Sequence, residues 1–140
     1  MRQYTDTNPM IIRFLIFGVI GWCLEILWTG LGSLVQGNFK LESKTSIWMF
    51  FIYGCSAFFQ PVIHFLIQYP WYVRGLFYVM CIFLVEFAFG YIMMKFESCP
   101  WDYSDAKLNV MGIIRWDYAP VWFIVGLLFE FTHLRLDGLF

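Results

Sequence analysis

Residues 75–96 read GLFYVMCIFLVEFAFGYIMMKF, with Glu86 and Lys95 as the only charged positions. A hydrocarbon core of ~30 Å takes about 20 helical residues, so this stretch is long enough to cross a bilayer. Its apolar residues run continuously instead of alternating, which argues for a helix and against a barrel strand. Three more runs of this kind occur, at about 10–35, 47–67 and 118–134, the second closing at the turn signal Tyr69-Pro70.

The composition agrees. The chain of 140 residues is 61% hydrophobic and 14% charged, whereas soluble domains are roughly a quarter charged. One soluble core in so short a chain could not hide this apolar surface, so lipid must cover much of it. The expected fold is an all-α membrane protein: a four-transmembrane-helix bundle forming one integral membrane domain over 1–140, with both termini on the same side. A motif loop at about 97–117 is expected at the interface.

Net charge is −1, so nothing points to a nucleic-acid partner. Cys23, Cys55, Cys81 and Cys99 form no C-x-x-C, which excludes a zinc ribbon or a disulfide framework as the reading. Glu97, Asp102, Asp105 and Asp117 match no cation-binding loop, so no metal is assigned. No G-x-x-x-x-G-K-[ST] is present, so ATP hydrolysis by that loop is not expected, and no cofactor is assigned. The first apolar run is too long for a cleavable signal and lacks a small-residue cleavage site. Basic residues divide almost evenly: Arg2, Arg13, Arg74 and Arg135 on the terminal side, Lys40, Lys44, Lys95, Lys107 and Arg115 on the other. Acids favour the second side, against Asp6 and Asp137 on the first, and this tips the expectation to cytoplasmic termini. Arg13 and Lys95 read as side chains that snorkel.

Three acids fall inside the runs: Glu25, Glu86 and Glu130. Intramembrane charges are expensive and by default mark function. Helical spacing puts small and polar residues on the same stripes: Gly18, Gly21, Glu25, Thr29 and Gly32 on the first span, and Tyr53, Ala57, Gln60 and His64 on the second. On the third, Glu86 and Gly90 are four apart; on the fourth, Gly126, Glu130, His133 and Asp137 align. Tyr53 is placed to reach Glu25, and His64 and Gln60 are expected near Glu130. Stacked together, these residues would form a polar ladder for a proton, a cation or a lipid headgroup. The structural alternative is that they act as interhelical glue, since small residues let helices approach and polar ones bond across them.

Catalysis has little support. Ser104 with Asp102 and Asp105 invites a hydrolase reading, but His64 and His133 fall on the other side of the membrane, and a triad needs contact between its members. No catalytic residue is assigned; Glu25 with Tyr53 is the only acid–base pair to nominate for a lipid-modifying enzyme. The spacing of Glu25 to Tyr53 resembles that of Glu86 to Tyr118, which would make the chain two related helical hairpins. In "CPWDYSD", 99–105, Pro100 stops a helix, and Asp102 and Ser104 suit turn N–H groups. Trp101 and Tyr103 suit the interface just beyond the third span.

Several segments together resemble the transmembrane protein 229 family, whose bacterial relatives are called ABC-transporter type IV membrane proteins: "GWCLEILWTG" at 21–30, "SIWMFFIYG" at 46–54, "EFAFGYIM" at 86–93, "CPWDYS" at 99–104 and "NVMGIIRWDYAPVWF" at 109–123. The most specific part is W-D-Y-S with the N-x-x-G that begins at Asn109. The resemblance implies a small multi-pass membrane protein and brings no established chemistry with it. The expected function is a transport- or channel-type component, acting as a homo-oligomer or beside a partner membrane subunit. The alternatives are a structural or accessory subunit and, behind it, an enzyme acting on lipid.

Overall fold

The computed structural model describes residues 9–139, so Arg2 and Asp6 of the charge count lie outside the described residues. Four helical stretches are long and apolar enough to cross a membrane: Pro9–Val35, Ile47–Leu66, Trp71–Lys95 and Trp116–Asp137. The only strands among the described residues are two residues each. Large apolar side chains face outward along the helices, Leu27 at 64% exposure and Leu84 at 68%, as lipid-covered spans require. The described residues divide into two compact units, 9–60 and 61–139, each dominated by one pair of neighbouring helices.

In the first unit, α1 (Pro9–Val35) starts on a proline, whose missing N–H costs nothing in a first turn. It ends at Gly37, whose φ of +83° provides the left-handed residue that closes a helix. The connection then folds back along α1. Ser33 Oγ donates to the Glu42 carbonyl at 2.5 Å, Thr29 Oγ1 accepts from the Lys44 N–H at 2.8 Å, and Trp22 Nε1 donates to the Ser46 carbonyl at 2.9 Å. Ser46 also caps α2 (Ile47–Gly54), its side chain accepting from the Trp48 N–H. The returning helix therefore begins beside Trp22, with roughly 20 Å of α1 still beyond it. Glycines set the closeness of the pair: a Cβ on Gly18 would meet the Phe50 ring at 2.6 Å, and one on Gly54 the Phe14 ring at 2.8 Å. Arg13 does not snorkel. It is 3% exposed, because it lies one turn before Phe17 on the buried face.

The second predicted span is not one regular helix. A 3-10 segment, Cys55–Phe59, separates α2 from α3 (Gln60–Leu66). Pro61 accounts for it: proline has no N–H to give the carbonyl four residues back, and its ring crowds that carbonyl.

In the second unit, α4 (Trp71–Lys95) follows the Tyr69-Pro70 turn and pairs with α5 (Ala119–Asp137). The Phe123 ring sits against Gly75 and Tyr78 against Gly126. The connection is the larger surprise. It was expected beyond the third span, yet it folds back down α4. Ile113 and Trp101 rest on Gly90, where a Cβ would meet them at 2.5 and 2.9 Å. Trp116 packs on Phe83 with ring centroids 5.0 Å apart. Ile113, 1% exposed, and Ile114 share a core with Val79 and Phe83. The fourth helical stretch thus begins beside Phe83, about 18 Å before α4 ends. The two-stranded pair β1 (Asn109–Val110) and β2 (Ile114–Arg115) fills the difference.

Candidate functional site

The three acids are each held by a tyrosine, and each has a glycine four positions away on its own helix. In the first unit, Tyr53 lies across Gly21, where a Cβ would meet the ring at 2.1 Å. Its hydroxyl donates to Glu25 Oε1 at 2.8 Å. The absence of a side chain at Gly21 lets the ring lie flat enough for the hydroxyl to reach one turn further.

The second unit has two such clips. Tyr78 lies across Gly126 and donates to Glu130 Oε2 at 2.5 Å. Arg74 adds a two-pronged contact, Nε to Oε2 at 2.8 Å and Nη2 to Oε1 at 2.9 Å, and spends Nη1 on the Tyr69 carbonyl. Planar guanidinium–carboxylate pairs of this kind are the stronger ion pairs. The expectation that His64 neighbours Glu130 is corrected: Arg74 and Tyr78 hold Glu130, and His64 Nε2 meets Asp137 Oδ2 at 2.7 Å. Distance along the helix explains the difference, because Asp137 shares the stripe of Glu130 but lies two turns further along α5. Gln60 stands at the first position of α3, where the 3-10 segment ends.

The other clip holds Glu86, and its tyrosine comes from the connection. The Tyr103 hydroxyl donates to Glu86 Oε1 at 3.0 Å, while its ring packs edge-on against Tyr118 at 5.5 Å. Tyr103 thus stands between the two residues whose spacing parallels Glu25 and Tyr53: it bonds Glu86 and packs against Tyr118. Arg115 lies over both rings, 4.1 Å from the Tyr118 centroid and 5.8 Å from that of Tyr103. It also forks onto Asp117 at 2.9 and 2.5 Å, and this contact raises the guanidinium pKa. Sequence reasoning passed over Arg74 because its partner Glu130 comes from another helix, and over Arg115 because its place over two rings depends on packing, although its counter-ion Asp117 is only two positions away.

The W-D-Y-S and N-x-x-G motifs form one object. Asp102 Oδ1 accepts from the Ser104 N–H at 2.9 Å and from its hydroxyl. The Asn109 carbonyl oxygen accepts from the Gly112 N–H at 2.9 Å, and its amide donates to the Ala106 carbonyl at 2.6 Å. The Tyr103 N–H bonds the Gly112 carbonyl at 2.9 Å, and Trp101 Nε1 bonds the Ile113 carbonyl at 2.8 Å. Gly112 has φ +70°, and a Cβ there would meet Ser104 Oγ at 2.8 Å. Irregular backbone needs partners for its polar groups, and these side chains supply several of them. Trp101 thus packs against α4 at Gly90. Hydrogen bonding from Ser104, side chain first and then backbone, lowers the Asp102 pKa. Burial pushes the Cys99 thiol up, which keeps it a poor nucleophile. Ser104 thus serves the turn, and both histidines lie elsewhere, on α3 and late in α5.

Among the described residues, no group of three or more His, Cys, Asp or Glu comes together to hold a metal ion. The family model described as "Putative ABC-transporter type IV" matches residues 12–137. The chain belongs to that family. No solved structure matches it. The match spans all four apolar helical stretches and every clip, so these features sit within the family's own domain.

Proposed function

We propose that this chain is a transport-related, multi-pass membrane component in which Glu25 and Glu86 handle a proton or cation, while Glu130 is a structural lock. The observation that carries this is their matched placement. Each sits on the long first helix of its unit, near where the folded-back connection gives way to the returning helix, and each accepts from a tyrosine hydroxyl. Glu130, by contrast, has its charge met by a guanidinium. A carboxylate held by hydroxyls can gain and lose a proton without unpaired charge remaining on its neighbour; one locked to arginine cannot. The narrower kinship with the transmembrane protein 229 family rests on the W-D-Y-S and N-x-x-G residues. Termini facing the cytoplasm fit the acid distribution.

The second reading is an accessory subunit of a larger transporter. The family description favours a partner, and the chain lacks the phosphate loop that would let it hydrolyse ATP by that route. One experiment separates the two. Purified protein in liposomes should carry a proton or cation flux that Glu86→Gln and Glu25→Gln abolish while helicity and melting stay near wild type. Flux unchanged in both variants would remove the acids from the path. No flux from wild type, with co-purification of one defined membrane partner, would favour the accessory role.

A further inference from the structure

We propose that Tyr103, Tyr118 and Glu86 form a receptor for an organic cation, an alkylammonium or guanidinium group, whose place is held by the chain's own Arg115. This deepens the role given above to Glu86 and rests on it for any part in transport; the binding itself stands apart.

The geometry is that of an aromatic cation site. Two tyrosine rings meet at 78° with centroids 5.5 Å apart, presenting two walls. The Arg115 guanidinium lies 4.1 Å from one centroid and 5.8 Å from the other, within the ~6 Å over which a ring face attracts a cation. Behind one wall, the Tyr103 hydroxyl is hydrogen-bonded to Glu86 at 3.0 Å. A carboxylate accepting that proton enriches the ring and adds negative potential to the site.

Arg115 is built to be displaced, as a comparison with Arg74 makes plain. The Arg74–Glu130 pair joins two helices and leaves side-chain exposures of only 16% and 7%. Arg115 pairs with Asp117, two positions away in the chain, with exposures of 26% and 41%, and its Nη1 donates one longer bond, 3.3 Å, to the Tyr118 hydroxyl. Displacing the guanidinium from the rings breaks that longer bond, while the counter-ion stays within reach on the same short stretch of chain. A weakly hydrated organic cation suits the vacated place better than a small metal ion, which wants a shell of oxygen ligands.

The test uses the full chain in nanodiscs, with tetramethylammonium and methylguanidinium as probes and sodium at equal ionic strength as control. Binding is read by calorimetry and by saturable shifts of tyrosine ring resonances. Wild type should bind weakly because Arg115 competes. Arg115→Gln should bind about tenfold tighter, and adding Tyr118→Leu should remove that gain. If Arg115→Gln fails to fold, Arg115→Lys, with its shorter reach and intact charge, should show a smaller gain that Tyr118→Leu also removes. No gain on changing Arg115, or a gain that survives Tyr118→Leu, overturns the proposal. Two lipid compositions separate the sources of the cation. Probe binding suppressed in phosphatidylcholine discs but present in phosphatidylglycerol discs identifies a headgroup ammonium; equal binding in both identifies a free cation. A proton flux abolished by Glu86→Gln in a protein that binds no probe would overturn this inference alone, and probe binding without flux would leave it standing while removing the transport reading.

Discussion

Two clips in this molecule use the same parts and differ in one residue. Gly21 and Glu25, in "GWCLE", are four apart on α1; Gly126 and Glu130, in "GLLFE", are four apart on α5. In each, a tyrosine from a facing helix lies over the glycine and donates to the acid, Tyr53 in one and Tyr78 in the other. The second adds Arg74. The shared part is packing: a missing Cβ makes room for a ring, and the ring's length places the hydroxyl one turn along. The difference is charge. With the guanidinium present, the acid is one half of an ion pair; in the other clip, the acid accepts from a neutral donor.

The largest effect should come from breaking the ion pair. Arg74→Met leaves Glu130 as a buried charge facing only Tyr78, and the expected loss is about 3 kcal/mol, measured by unfolding in detergent. A loss near zero would show that the two clips do not differ in the way described. Next, Gly21→Ala and Gly126→Ala each force a methyl into a tyrosine, the Tyr53 ring at 2.1 Å and the Tyr78 Cβ at 2.5 Å. Overpacking of this kind costs about 1–3 kcal/mol. Both variants should destabilise by similar amounts, because the packing half of the clip is common to them, and a large inequality would break the comparison. Third, Tyr53→Phe removes a single hydrogen bond to Glu25, a change of about 1 kcal/mol. Its sharper readout is the infrared carboxyl stretch of Glu25, which should shift when the tyrosine hydroxyl is lost.

The smallest effect is in the connection. Asp102 has a lowered pKa because Ser104 bonds its ionised form. An acid whose pKa is lower in the folded state contributes stability above its unfolded value, and loses that contribution as pH falls through the folded one. The Ser104 amide should therefore exchange faster relative to its neighbours below about pH 4, with no such change between pH 6 and 8. A step near neutrality would mean that another group holds the turn.

Much of this was legible in the chain itself. Continuous apolar runs gave the four spans because a bilayer demands a helix of fixed length and little charge. The G-x-x-x-E spacings and the reversed Glu86–Gly90 pair gave the acids with their small neighbours, because the period of a helix is a local property. Tyr53 opposite Glu25 followed from depth in two adjacent spans. The Asx-type turns at Asp102 and Asn109 were readable because their bonds run only a few residues.

Other features were decided only in three dimensions. Whether α5 ran the full length of α4 depended on Gly90 accepting Ile113 and Trp101, a contact no local rule specifies. That fold-back put Tyr103 on Glu86 and laid Arg115 over the rings of Tyr103 and Tyr118. Arg74 looked in sequence like a terminal-side charge, and only the crossing of α4 with α5 brought it to Glu130. Periodicity and length are written into one segment at a time. The partner of a charged or aromatic side chain is set by which surfaces meet, and that is a property of the packed chain.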